Sequence, residues 1–145
     1  PSDKFWNKNS DGTGAATSFS STDFPLFRLS DAYLIYAECA ARGASGANAA
    51  QGLDYLNAVR QRAGASAATA LTLDAVLNER GRELGLEGVR RQDLIRFGKF
   101  TGGSYLWPWK GGVKDGTAIP DYYKVFPIPS TALQANPNLT QNTGY

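Results

Sequence analysis

Histidine and methionine are absent from the 145 residues, and cysteine occurs once. Without histidine there can be no Ser-His-Asp triad, no Cys-His dyad and no imidazole ligand for a metal. The lone Cys39 excludes an internal disulfide. Set among Tyr36, Ala37, Ala40 and Ala41 on an expected helix, it reads as a small buried core residue and not as a reactive thiol. Charge of one sign is equally scarce: 15 basic residues stand against 13 acidic ones for a net charge of +2, with no basic run. That pattern offers no electrostatic footprint for nucleic acid or an anionic membrane. No stretch approaches the ~18 consecutive apolar residues of a membrane helix, and no charged-then-apolar leader opens the chain. A chain that starts Pro-Ser-Asp without methionine is expected to be a piece of something longer.

What is present is enough apolar residue, 42% of the chain, to fill one core. Its most distinctive stretch is NERGRELGLEGVRRQDLIRFG, residues 78 to 98. At 3.6 residues per turn, Glu79, Glu83 and Glu87 share one helix face. Beside them Leu73, Val76, Leu77, Arg80 and Leu84 form an adjacent stripe that should be packed. Arg80 therefore lies where a charge must be paired. The block reads as a structural ion network of Glu79, Arg80, Glu83, Glu87, Asp93 and Arg96, with no catalytic residue in it. Gly81 and Gly85 lie four apart on the same expected helix, a flat strip suited to close packing.

The rest divides into a polar entry, a helical middle and a proline-punctuated exit. Residues 7 to 22 are loop by composition. Asn7, Asn9, Asp11 and Gly12 imitate the opening of a calcium loop, but Ser18 stands where the bidentate glutamate belongs, so a plain turn is the preferred reading and no metal or other cofactor is expected. A first helix is expected from Ser30 as N-cap, through Tyr33, Tyr36, Ala37 and Ala40, to a stop at Gly43. A second runs from about Ala47 to Ala63, with Leu53 and Leu56 at helical spacing and Gly64 ending it. The short link makes these two antiparallel. Their size and small-residue texture match a tetratricopeptide-like unit, which must stack on further helices, either the Thr72 to Phe97 pair or repeats outside this chain. The fold class expected is all-α: tetratricopeptide-like antiparallel helix pairs, a helical core over about residues 26 to 98, long irregular loops and an extended tail over 125 to 145.

Residues 101 to 124 set Tyr105, Trp107, Trp109, Tyr122 and Tyr123 among glycines and prolines. Aromatic faces on an exposed loop suit the C–H face of a sugar ring, with Lys110, Lys114, Asp115 and Asp121 as polar contacts. The competing reading, about equally weighted for any one residue, is that the rings cover a core edge beneath a long loop.

Four blocks together resemble one family: FPLFRLSDAYLIYAE at 24 to 38, LNAVRQRAG at 56 to 64, the 78 to 98 block, and FPIPSTALQANPNLTQNTGY at 126 to 145. In order and spacing they are similar to the C-terminal region of SusD/RagB proteins. Gly81 departs from an arginine common there, and Val89, Arg90 and Arg91 depart from a His-Arg-aromatic run. The resemblance implies a non-catalytic, lipid-anchored protein of the outer-membrane surface in Bacteroidetes. It would bind oligosaccharides for a SusC-like TonB-dependent transporter, with the anchor and most helical repeats in the remainder of the longer chain. It also implies that the ionic block is scaffold, while the aromatic loop is a reading of the residues alone. A helical scaffold that holds the transporter, or a protein that captures peptides, are the alternatives. A glycoside hydrolase is disfavoured, because it needs two carboxylates facing each other across a cleft and not three along one helix.

Overall fold

The computed structural model describes residues 4, 5, 11, 13, 23 and 25 to 145. The calcium-like turn at Asn7 to Ser18 lies almost wholly outside the described residues, as does Phe24. Helix α1 spans Leu29–Ala41, α2 Ala49–Arg62, α3 Leu73–Glu83 and α4 Arg90–Arg96, and a short α5, Ser130–Ala135, follows in the tail. Two single 3-10 turns, Lys110–Gly112 and Asp121–Lys124, interrupt the loop between α4 and α5. Among the described residues there is no strand, only an isolated antiparallel bridge between Gly102 and Ile119.

α1 and α2 form the antiparallel pair that their short link demands. Tyr36 near the end of α1 accepts a hydrogen bond from the Asn48 backbone N–H just before α2 (3.1 Å), and Tyr33, a turn earlier, stacks on Tyr55, a turn or two later (centroids 4.3 Å apart). Gly52 sets how close they come: a Cβ there would stand 2.8 Å from the Ala40 Cβ and 2.9 Å from Leu71 Cδ2, closer than packed carbons approach. The core between the helices is Leu34, Ala37, Leu56, Val59 and Val76, with Leu53, Leu71 and Ala75 packed around it. Each helix stops for a local reason. Thr72 caps α3 by accepting from Ala75 N–H (3.1 Å), as Asn48 caps α2 through Gln51 N–H (3.1 Å). α1 closes at Gly43, in the left-handed region at φ 72°, where Ala44 N–H reaches back to the Cys39 carbonyl (3.0 Å).

Three expectations need correction. Ser30 is not the N-cap of α1: the extended residue is Arg28 (φ −133°, ψ 143°), whose side chain makes no capping bond, so Ser30 is already inside the first turn. Arg28 instead points its guanidinium to Glu83 and Glu87, which fixes the chain's entry angle without a capping side chain. Cys39 is exposed and not buried, because α1 is apolar on both faces and only one of them meets the core. Gly85 lies beyond the end of α3, whose last residue is Glu83; only Gly81 is inside it.

The tail folds back on its own start. Gln141 accepts from Ile128 N–H (2.8 Å) and donates to the Ile128 carbonyl (2.9 Å), Asn142 donates to the Phe126 carbonyl (2.7 Å), and Tyr145 donates to Val125 (2.9 Å). Side-chain amides thus satisfy backbone groups that Pro127 and Pro129 prevent from joining a ladder.

Candidate functional site

Glu79, Arg80 and Glu83 on α3 and Asp93 on α4 are buried, and each has at least one partner on another element. Arg80 donates to Asp93 (2.8 Å) and to Asp31 on α1 (2.7 Å). Arg96 donates to Asp93 (2.9 Å) and to Glu38 on α1, and Arg42 donates to the same Glu38 oxygen (2.8 Å). A continuous chain of alternating charge, Asp31, Arg80, Asp93, Arg96, Glu38, Arg42, therefore staples α1 to α3 and α4. On the other side Glu79 is held by Arg60 of α2 and by Arg82 (2.6 Å each). Glu83 takes Arg62 (2.7 Å) and Arg28, and Glu87 takes Arg28 and Lys4. Burial pushes the Glu83 carboxyl up, but its hydrogen-bonding neighbours outweigh this and leave it below the usual range. The Ser30 hydroxyl nearby makes no hydrogen bond of good geometry, so the Arg62 and Arg28 guanidiniums carry that effect. Sequence reasoning missed the α1 half of this arrangement. The available signal was Asp31 and Glu38, two carboxylates seven residues apart, hence on one face, in an otherwise apolar and alanine-rich helix.

The aromatic loop hangs from this frame at two arginines. Arg90 donates to the Leu77 carbonyl (2.8 Å) and to the Tyr105 hydroxyl (3.1 Å). Arg91 donates to the Tyr123 and Lys124 carbonyls (2.7 and 3.1 Å) and lies over the rings of Phe100 and Phe126, 5.1 and 4.1 Å from their centroids. The five aromatics singled out in the sequence fall into two groups with a fifth ring apart. Tyr105 and Trp107 meet at 6.2 Å, and Trp107 stacks on Phe100 at 6.2 Å. Tyr122 stacks on Tyr123 at 4.7 Å and meets Tyr145 edge-on at 4.9 Å. Trp109 belongs to neither group and is 67% exposed; Tyr123 is 43% exposed, while Tyr105, Trp107 and Tyr122 are half-buried.

Lys110 is the pivot of the loop and was misplaced as a ligand contact. It is 1% exposed, and its ammonium donates to the carbonyls of Gly102 and Tyr105 (2.7 Å each) while lying 4.7 Å from the Trp107 ring centroid. Burial pulls its pKa down. The main chain closes around it, with Thr117 N–H bonded to the Lys110 carbonyl (3.0 Å) and Trp109 N–H to Lys114 (3.2 Å). Gly116 completes the turn against the Trp107 carbonyl, where a Cβ would come within 2.5 Å. Trp109 is thereby held at φ 69°, in the left-handed region. A bulky residue occupies that region only when its surroundings over-determine it. The result is an indole presented to solvent on a closed loop, with Asp121 engaged by Thr101 and Lys124 and therefore turned to loop structure. Among the described residues no group of His, Cys, Asp and Glu could hold a metal ion.

Comparison with known proteins places this geometry. The family model of the SusD family matches residues 1 to 145. The chain is 41% identical over 144 residues to the starch-binding protein SusD of Bacteroides thetaiotaomicron, covering 98% of this chain and 25% of that protein. Among solved structures, surface glycan-binding protein A from Bacteroides thetaiotaomicron superposes with a TM-score of 0.74 at 32% identity over 93% of this chain and 28% of that one. The protein of the same name from Bacteroides uniformis gives 0.68 at 30% identity over 85% and 28%. The chain spans about a quarter of the length of these relatives, and since the family model matches it from end to end, it belongs to the SusD family.

Proposed function

We propose that this chain is the C-terminal region of a surface protein that binds oligosaccharides without cleaving them and delivers them to a SusC-like TonB-dependent transporter. The observation that carries the reading is the exposed Trp109 indole, fixed in a left-handed backbone by a loop closed on Lys110. A flat apolar face held rigid in water is suited to the C–H face of a pyranose, and the ordering cost of binding is already met by the loop. Tyr123 offers a second exposed face. Tyr122 stacks against Tyr123, while Tyr105 and Trp107 pack with Phe100 and the Lys110 ammonium inside the loop. The names of the relatives, a starch-binding protein and surface glycan-binding proteins, point to the same ligand class. Absence of catalysis is supported by the buried carboxylates, since Glu79, Glu83 and Asp93 are each taken up in ion pairs with arginines of the frame and do not face one another across a cleft as a hydrolytic pair must.

Attachment to the outer-membrane surface belongs to the longer polypeptide; among the described residues no helix is long and apolar enough to cross a membrane. Calorimetric titration of the full-length protein with starch-type and other oligosaccharides tests the proposal. Binding without release of reducing ends supports it, and a full-length protein that binds no member of a broad glycan panel sinks it.

A further inference from the structure

We infer that Arg91 and the aromatic rings around it form a subsite for the anionic group, carboxylate or sulfate, of an acidic sugar residue. The inference rests on the reading that this chain binds oligosaccharides, and it adds the charge of one ligand residue to that reading. The arginines of the ionic frame each meet a carboxylate, as Arg60 and Arg82 do on Glu79 and Arg80 and Arg96 on Asp93. Among the described residues Arg91 meets none. Only its Nη2 is engaged, donating to the Tyr123 and Lys124 carbonyls (2.7 and 3.1 Å). Nε and Nη1 donate to no protein group among the described residues, and neither is a buried atom left without a partner. Both are therefore open to water.

The guanidinium is also fixed in place. Its carbon lies 5.1 and 4.1 Å from the ring centroids of Phe100 and Phe126, and two carbonyls hold one of its ends, so its plane is set before any ligand arrives. Charge-assisted hydrogen bonds from Nη1 and Nε remain for an anionic oxygen and a neighbouring hydroxyl. Aromatic carbon surrounds them. Phe126 is 70% and Tyr145 45% exposed; Tyr145 lies 6.4 Å from Tyr123 and donates to the carbonyl of Val125, the residue before Phe126 (2.9 Å). These contacts join Arg91, Tyr123, Phe126 and Tyr145 into one surface.

Charge complementarity selects the ligand. A neutral sugar uses ring faces alone, as at Trp109, and gives the Arg91 guanidinium no counter-charge. An acidic sugar residue uses both features at once, its C–H face against exposed aromatic carbon and its anionic group on the free nitrogens. The neighbouring carboxylate does not compete for them, because Asp121, two residues before Tyr123, is taken by Thr101 and Lys124.

Paired ligands that differ only in charge provide the test. Calorimetry on the full-length protein at neutral pH compares oligogalacturonates as free acid and as methyl ester, and oligogalactans with and without sulfate. One charged form is expected to bind at least ~5-fold tighter than its neutral counterpart, and which pair responds assigns carboxylate or sulfate. Arg91→Gln should abolish the difference while the neutral form still binds, and added salt should shrink it. Should Arg91→Gln fail to fold, Phe126→Ser at an exposed ring reads the same surface: it should weaken the charged form, and unchanged affinity would overturn the inference. Equal affinity for both charged and neutral forms would overturn it while leaving glycan binding intact. So would a preference that survives in Arg91→Gln, or a glutamate-rich peptide that binds where every acidic glycan fails. Failure of all glycans, charged and neutral, would overturn the proposed function together with this inference.

Discussion

Gly81 on α3 and Arg90 at the start of α4 share one space: a Cβ on Gly81 would stand 2.9 Å from Arg90 Nη1 and 3.0 Å from its Cζ. The guanidinium lies flat where a side chain would be, and from there it reaches both the Leu77 carbonyl and the Tyr105 hydroxyl. Glycine at position 81 thus has a packing reason, and the arginine it admits links the ionic frame to the aromatic loop.

That relationship is open to a double-mutant cycle. Gly81→Ala alone should be neutral or destabilising, because the ~1 kcal/mol gained in helix propensity is offset by displacement of Arg90. In an Arg90→Ala background the same change should stabilise by up to ~1 kcal/mol. Urea unfolding of the four proteins measures this, and equal effects in both backgrounds would show that the two residues do not compete for space.

Arg80 and Arg82 are two residues apart and should behave oppositely. Arg80→Ala takes from the buried Asp93 and the part-exposed Asp31 the buried cation they share, and is expected to cost ~3 to 5 kcal/mol. Arg82, whose side chain is 58% exposed, should cost less than ~1 kcal/mol when replaced by alanine. Denaturation midpoints that shift equally would sink the distinction.

Acid should loosen the hold of α3 on the end of α2 and on the segment entering α1, through Glu83 and its partners Arg62 and Arg28. The folded-state pKa of Glu83 is depressed below the ordinary 4.5. The ionised form is therefore the one the fold favours, and its contribution is complete above 4.5 and lost as pH falls through the folded value. Stability measured by denaturant between neutral pH and pH 3 should decline along that limb. Glu83→Gln should flatten the decline at the expense of stability at pH 7, and an unchanged slope would assign the acid sensitivity elsewhere.

Lys110→Met keeps the aliphatic stem against Trp107 but removes the donors to Gly102 and Tyr105. Leaving two carbonyls unpaired should cost ~1 to 3 kcal/mol. More telling is the place of the damage: limited proteolysis should open the chain between residues 101 and 117 while the helices stay intact. Cleavage no faster than in the unsubstituted protein would mean the loop holds its shape without the ammonium.

The two tryptophans separate binding from folding. Trp109→Ala should lose ~1 to 2 kcal/mol of glycan affinity with the melting temperature unchanged. Trp107→Ala, which removes the ring between Phe100 and the Lys110 ammonium, should lower stability as well. Calorimetry paired with thermal melts on the full-length protein reads both, and intact affinity in Trp109→Ala would move the binding face away from this loop.

The sequence was most legible where a local rule suffices. Helix periodicity put Arg80 on the packed stripe, a hydroxyl at Thr72 marked the start of α3, and glycines at 43, 64 and 98 marked helix ends, each at positive φ. Ser30 misled because a good capping residue was displaced by Arg28, whose position is set by Glu83 and Glu87, more than fifty residues away in sequence. Lys110 misled because a lysine among glycines has every sign of a solvated residue. Only the closing of the loop around it, by main-chain bonds to Thr117 and Lys114, takes it out of water.

By itself, then, the sequence determined the helical class, the succession of elements and the presence of a buried charge block, since these depend on residues within a few turns of each other. Which carboxylate meets which arginine, which face of α1 stays open at Leu29, Ile35 and Cys39, and which of five aromatic rings reaches solvent were decided by tertiary packing. A helix apolar on both faces, or a loop rich in rings, carries no local preference for the side it buries. That choice is made only when α2 and α3 close on Leu34 and Ala37, and when the Lys110 ammonium finds its two carbonyls.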